Sequence, residues 1–533
     1  MSSTVRSSSS ALARSAGLIG VATMSSRILG VAREAVLATI FGAGTSMDAF
    51  NVAFRVPNLL RDLFAEGAMT AAFVPTFTRT LTLQGRDEAW RLGNLVINTL
   101  LLLTGAFVVL GLVFAYPITH AIAPRFAEIP GKLELTAGLT RIMLPFLTTV
   151  AVSVAMMGML NSMRRFFIPA LSPVMFNIAT IACAFGVVPL MPRVGLPPIA
   201  GIAIGTLLGG AGQVLLQWPV LRREGFRYQP ILDFKDPALR EILRLIGPGT
   251  LGLAAVQINV FVNTYLATGQ PQGSVSWLSY AFRLMYLPIG LFGVSIATAA
   301  LPDIARHTAA DDLPALRRTV SSALRMMLML NVPATIGLIV LARPIVALLL
   351  EHGRFTPGDS DATAAALMFY APGLVAYSAV KIVSPTFYSL RDSRTPVVVS
   401  VLSIAANLAI NLLLVHAMGY RGLALGTALA ATFNASALLW LLRGRLDGMD
   451  GRRVGVAFLK ILAASLVMGV AAHVTIGWTA GAVAGTTTVP KAIRVSVAIA
   501  AGIVALAASA RALRIEELDD AFRHVLRRLK PAR

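Results

Sequence analysis

Apolar runs of about twenty residues recur from one end of the chain to the other, separated by short polar stretches. A run of that length crosses a bilayer as an α-helix. The pattern predicts spans near 14–41, 48–78, 92–118, 135–160, 168–190, 199–221, 240–267, 275–303, 320–350, 361–389, 395–417, 420–442, 454–475 and 490–511, about fourteen in all. After the last span, Ile515, Leu518, Phe522, Val525 and Leu529 return to one helical side. That periodicity predicts a surface amphipathic helix over 515–533. The fold class is therefore an all-α polytopic membrane protein; a transmembrane barrel would show short alternating segments instead.

The pattern also repeats. GIAIGTLLGGAGQVLLQWPVLRR (201–223) returns in altered form as GLALGTALAATFNASALLWLLRG (422–444). NSMRRFFIP (161–169) resembles YSLRDSRTP (388–396), AFR at 53–55 returns at 281–283, and AAFVPTFTR (71–79) resembles TAALPDIAR (298–306). These echoes predict two six-helix lobes, 14–223 and 240–444, with spans 13 and 14 (454–511) outside the duplication. Copies an even number of spans apart keep the same orientation, so the pseudo-two-fold should run along the membrane normal. Parallel repeats of this kind suit alternating-access transporters, with a site between the halves.

Charge adds orientation. The chain is 56% hydrophobic and only 13% charged, with a net charge of +21. Most of the basic residues lie in alternate short loops, including Arg164 and Arg165, Arg222 and Arg223, Arg317 and Arg318, and Arg452 and Arg453. That asymmetry marks cytoplasmic loops and places both termini inside, with residues 1–13 as a cytoplasmic tail. It also argues against nucleic acid as the partner of the positive charge. The single cysteine, Cys183, excludes an internal disulfide and a cysteine-based metal site. The six histidines fall at or near loops, which argues against a histidine proton relay. There is no phosphate-binding P-loop, and no catalytic constellation points to an enzyme.

Some charges fall inside spans, where each costs about 2.5–3.5 kcal/mol unless it faces protein or water. Span 1 holds Arg27, Arg33 and Glu34; span 2 has Asp48 at its mouth, then Arg55, Arg61, Asp62 and Glu66; span 8 holds Arg283. At 100° per residue, Arg55, Asn58, Asp62 and Glu66 share a face, with Arg61 off that stripe. Arg27 and Glu34, seven apart, also share a face. Salt bridging accounts equally well for Glu34, Asp62 and Arg55. Counting Arg55, the five arginines of these spans exceed the four acids (Glu34, Asp48, Asp62 and Glu66), so the acids cannot neutralise every arginine; Arg27, Arg33, Arg61 and Arg283 predict a cationic, water-filled cavity. Arginine is suited to bidentate phosphate contact, so the expected substrate is anionic and phosphorylated.

The stretch SRILGVAREAVLATIFGAGTSMDAFNVAFRVPNLLRDLFAEGAMTAAFVP (26–75) strongly resembles the MurJ (MviN) family of lipid II flippases, within the MOP transporter superfamily. GSVSW (273–277), HGRFT (352–356) and FYSLRDSRTPV (387–397) are further echoes. The resemblance implies fourteen spans, a lipid-tail groove formed by spans 13 and 14, and transfer of lipid II to the outer leaflet of the inner membrane. It implies no resident cofactor, although an ion gradient or the membrane potential must drive the cycle. Its implied partners are lipid II, membrane lipids and the cell-wall synthesis machinery. Arg27, Arg33, Arg61 and Arg283 match the family's cavity arginines. Asp48, Asn58 and Glu66 match its polar cavity positions, and Ser26 and Ser276 the small polar positions beside them. Asp48, Glu66, Glu34 and Arg55 are the coupling or gating candidates. The chain departs from the family pattern at Asp62, where members often carry a second basic residue, and at Phe282 and Tyr286, where they can carry acids. The rival reading is a multidrug or lipid-linked oligosaccharide exporter of the same superfamily. A cation-drug exporter would be expected to line its cavity with acids.

Overall fold

The computed structural model describes residues 22, 24–62, 67–483, 485 and 487–517, and among these it is helical without a strand. The N-terminal tail, Glu66 and all but the first residues of the expected C-terminal helix lie outside the described residues. The chain divides into two compact units, Met1–Ser276 and Trp277–Arg533.

The first unit contains α1 (24–41), α2 (Thr45–Arg61), α3 (Gly67–Leu83), α4 (Arg86–Val113), α5 (Ala115–Ile122), α6 (Lys132–Met143), α7 (Phe146–Ser162), α8 (Phe167–Gly186), α9 (Ala200–Arg223), α10 (Pro237–Thr268) and the first turn of α11 (Ser274–Pro288). The second holds the rest of α11, then α12 (Val294–Ala309), α13 (Leu313–Val340), α14 (Ala342–Leu349), α15 (Pro357–Tyr370), α16 (Gly373–Ser389), α17 (Arg394–Met418), α18 (Tyr420–Arg445), α19 (Gly451–Ala482) and α20 (Thr488–Ala512). Among the described residues, ten helical segments are long and apolar enough to cross a membrane, or eleven if α15 and α16, bent by 45°, form one broken span. They cover the expected spans 3 to 6 and 8 to 14. The other expected spans, the first, second and seventh, contain α1, α2 with α3, and α10.

The seventh expected span, assigned from the sequence to the start of the second lobe, lies in the first unit: α10 packs on α3 and α4. A polar clasp fixes its entry. Asp236 caps α10 by accepting from the Ala238 and Leu239 N–H groups, and it pairs with Arg91 of α4 at 2.9 Å. Upstream, the Asn94 amide donates to the Arg227 carbonyl at 2.9 Å while its oxygen accepts from the Gln229 N–H at 3.0 Å. Asn98 donates to the carbonyls of Gln229 and Ile231 at 2.7 and 2.9 Å. Two buried asparagines thus give hydrogen-bond partners to a surface segment, 227–231, that belongs to no helix or strand.

The repeat is visible in three dimensions. On α9, a Cβ added at Gly201, Gly205 or Gly209 would lie 2.9 Å from Val188, Cys183 or Phe176. On α18, a Cβ at Gly422 or Gly426 would overlap the Leu414 carbonyl or the Asn411 amide. Small residues every fourth position let two helices approach closely where apolar burial gives no driving force. Arg164 and Arg391, at equivalent positions of the repeat, both take left-handed φ, 60° and 59°. Each ends a helix with the same pair of bonds, Arg165 N–H to Leu160 and Asp392 N–H to Phe387 closing the wider loop.

Each unit has its own apolar core. Phe73, Phe77, Trp90 and Met156 anchor the first; Leu316, Met327, Ile382 and Phe387 anchor the second. Ile461 of α19 and Ala510 of α20 belong to the second core, so these two helices are part of that unit. Glu517 accepts from Arg325 of α13 at 2.5 Å, and Ile515 is buried.

Candidate functional site

The helix α1 brings its charges to α8. The Arg33 guanidinium donates to Glu34 through Nε at 3.1 Å and Nη2 at 2.5 Å, and it lies 4.9 Å over the Phe176 ring of α8. Glu34 is buried. A cation held over a ring face and against a carboxylate is stabilised by both. Next to this pair, the Asn177 amide donates to the Ser26 carbonyl at 3.1 Å, tying the start of α1 to α8. Arg27, on the neighbouring turn, is half-buried. Among the described residues it has no hydrogen-bond or ion-pair partner.

The polar stripe of α2 is real, but its membership differs from the helical-wheel expectation. Asn58 donates to Asp62 at 3.4 Å, as i, i+4 neighbours on one face do. Arg61 is not separate from that stripe. Its Nε and Nη2 donate to Asp62 at 3.1 and 2.8 Å. The reason is local: Asp62 caps the helix end, and a long guanidinium can fold over the last turn onto its neighbour. A further donor arrives from α10, where buried Gln257 reaches Asp62 at 3.1 Å. No spacing along α2 could have named Gln257. Arg55 is half-buried.

At the other end of α2, Asp48 is enclosed. It and Lys132 are each 1% exposed and lie 3.1 Å apart. The Gly273 and Ser276 N–H groups donate to Asp48 at 2.8 and 3.0 Å, and Ser276 Oγ donates at 2.6 Å. Asn51 donates to Ser276 Oγ at 3.4 Å. Lys132 also lies 4.0 Å over the Phe126 ring. The carboxylate thus accepts four bonds, and the ammonium has an anion and a ring. A buried ion pair persists only when its remaining lone pairs and protons are satisfied in this way. Lys132 is the partner that the sequence did not reveal.

In the second unit, Trp277 Nε1 donates to Asp359 at 2.9 Å, and Asp359 in turn forms a capping box with Thr356 at the start of α15. One turn on, Phe282 packs against Tyr286 at 5.9 Å, Tyr370 at 5.5 Å and Tyr377 at 6.3 Å. Arg283 follows it and is half-buried. Rings therefore occupy the positions where the sequence departs from the family's acids. No group of three or more metal-ligating side chains occurs among the described residues.

With this geometry in place, the comparisons with known proteins are consistent with one another. The family model for the lipid II flippase MurJ matches residues 37–491. A probable lipid II flippase MurJ of Vibrio cholerae serotype O1 is 34% identical over 437 residues, covering 80% of this chain and 82% of that protein. The lipid II flippase MurJ of Burkholderia cenocepacia is 32% identical over 464 residues, covering 86% and 89%. A solved lipid II flippase MurJ in an inward closed conformation aligns with a TM-score of 0.76 at 27% identity, covering 93% of this chain and 99% of that one. An inward-facing multidrug resistance transporter of the MATE family, in the MOP superfamily, aligns with a TM-score of 0.66 at 18% identity over 80% of this chain and 96% of its own; it shares the fold. A match over most of the chain, to the family and to its solved structure alike, places this protein in the MurJ family of lipid II flippases.

Proposed function

We propose that the protein carries lipid II, a polyprenyl-pyrophosphate-linked disaccharide peptide, from the inner to the outer leaflet of the bacterial cytoplasmic membrane by alternating access. Both termini face the cytoplasm, fourteen helices span the bilayer, and the cell-wall synthesis machinery receives the product. The observation that carries this reading is Arg27. A half-buried guanidinium without a partner among the described residues is costly in a membrane helix, and a bound phosphate removes that cost through paired N–H contacts. Arg33 and Arg61 already lie against Glu34 and Asp62, so a phosphate would share each guanidinium with a carboxylate. Arg283 is a further phosphate contact in this reading, and Asn58 and Ser26 are polar contacts to the head group.

Ser276 and Asp48 serve a different purpose in this reading. Their enclosed network with Lys132 supports a gating role better than contact with a translocating head group. Glu34, Glu66 and Arg55 remain the coupling or gating candidates for an ion gradient or the membrane potential, which supplies about 2.3 kcal/mol per charge per 100 mV. Spans 13 and 14 hold the lipid tail. A cation-drug exporter fits less well, because Glu34 and Asp62 are each bonded to an arginine rather than offered to a cationic ligand.

The test is complementation in a strain depleted of its own flippase, with outer-leaflet lipid II measured directly. Arg27→Ala is expected to abolish outward exposure of lipid II while the protein still reaches the membrane. Undiminished exposure by Arg27→Ala, at wild-type protein level, would overturn the reading.

A further inference from the structure

The ring cluster around Phe282 has a feature that phosphate binding does not use. Tyr370 and Tyr377 meet Phe282 edge-on, at interplanar angles of 73° and 85°, and so fix its ring from α15 and α16. Tyr286, one turn along α11, stacks on Phe282 at 28° and keeps 37% of its surface exposed. Tyr370, by contrast, is 8% exposed. The cluster therefore holds one aromatic side chain in a defined orientation with its surface available. A ring fixed in this way loses little entropy when something packs on it, because it has only two side-chain torsions to order.

Its neighbour suggests what packs there. Arg283 and Tyr286 are three residues apart on α11, so they share a face with Cβ atoms about 5–6 Å apart. In a sugar pyrophosphate the pyranose is joined directly to the phosphate through its anomeric oxygen. A phosphate held at Arg283 therefore sets the first sugar within one helical turn, where Tyr286 stands. A pyranose has an apolar C–H face and a polar hydroxyl edge, and tyrosine presents an apolar face with a polar tip.

We propose that Tyr286 is a specificity-determining residue, whose ring stacks on the first sugar of the head group while Arg283 holds the adjoining phosphate. This inference rests on the phosphate reading of Arg283 given above. It makes the second unit the part of the protein that distinguishes a glycosylated lipid pyrophosphate from a bare one.

The experiment measures affinity of the full-length protein in lipid nanodiscs for two probes, lipid II and undecaprenyl pyrophosphate, which lacks the sugars. Tyr286→Ala is expected to weaken lipid II binding about tenfold, as loss of an aromatic contact together with its buried area implies, and to leave the sugar-free probe unchanged. Tyr286→Leu, which keeps apolar bulk without a ring, should behave as Tyr286→Ala does, and Tyr286→Phe should retain most of the preference. Arg283→Ala should weaken both probes. If Tyr286→Ala and Tyr286→Leu leave the ratio of the two affinities at the wild-type value, the sugar contact is overturned and Tyr286 is a lipid-facing or packing residue. If Arg283→Ala leaves both affinities unchanged, the phosphate reading fails, and the ratio in the Tyr286 variants still decides the sugar contact separately.

Discussion

The same three residues, Ala-Phe-Arg, occur at 53–55 in α2 and at 281–283 in α11, and they sit in unlike surroundings. In each unit the phenylalanine is the hub of a four-ring cluster. Phe54 meets Phe50, Phe146 and Phe176 at 6.0 to 6.1 Å, and Phe282 meets Tyr286, Tyr370 and Tyr377. The first cluster is all phenylalanine and meets a cation: Arg33 lies over Phe176. The second cluster carries hydroxyls. Where α2 has Asp48 and Asn58, α11 has Ser276 and Tyr286. The second unit keeps an ion network elsewhere, with Arg343 and Lys491 on Glu351 at 2.6 and 3.1 Å, where α20 begins. The aromatic hub is thus common to both units, while the residues one or two turns from it differ in charge.

The strongest way to break this comparison is at the buried pair. Lys132→Met strands the Asp48 carboxylate and should cost about 3–5 kcal/mol, read as a large fall in thermal unfolding temperature in detergent. The double variant Asp48→Asn, Lys132→Met should recover much of it, since no lone charge stays buried. A Lys132→Met protein as stable as the wild type would show that the first unit does not depend on its ions.

The hubs come next. Phe54 and Phe282 are both partly buried, so alanine at either should cost about 2 kcal/mol, less than a fully enclosed phenylalanine. The two losses should be similar if the hubs are equivalent. A loss confined to one of them would mean that only one ring cluster is structural.

A smaller effect tests the repeat itself. Arg164→Gly and Arg391→Gly should each stabilise by up to about 1 kcal/mol, because glycine enters the left-handed region without steric cost but loses more chain entropy. Opposite signs at the two sites would show that the matched turns are not energetically equivalent.

The last test is local and concerns the second unit's ions. Partial burial alone would raise the Glu351 carboxyl, but its contacts with Lys491 and Arg343 hold it below the ordinary value of 4.5. A depressed folded value means that the contribution is complete above the ordinary value and is lost as pH falls through the folded one. Amide protection at the start of α20, that is, exchange relative to the unstructured rate at the same pH, should therefore fall below about pH 4.5 and not above it. Exchange that ignores this window would remove Glu351 from the docking of α20.

Much of the architecture was legible in advance. Long apolar runs allow little except helices in a bilayer, and the internal echoes correspond to like local features: close glycine contacts on α9 and α18 and left-handed Arg164 and Arg391. The i, i+4 contact of Asn58 with Asp62 followed from helical periodicity. Arg61 did not, because a wheel assigns directions to Cβ atoms and not to the ends of flexible side chains. Lys132 was hidden for a different reason: a lone lysine near a polar loop looks solvated until another helix closes over it. The same holds for Gln257, a neutral residue in an apolar run whose only signal was its polarity.

The sequence by itself determined which segments are helices, which of them carry charge, and which residues recur between the halves, because these depend on the chemistry of the run and its period. The tertiary structure alone decided the pairings: Asp48 with Lys132, Asp62 with Gln257, Arg33 with Phe176, and α10 with the first unit rather than the second. Each links residues from 84 to 195 positions apart. A buried charge requires a partner, but at that distance nothing in the local pattern says which residue it will be, and the choice falls to whatever packing brings within reach.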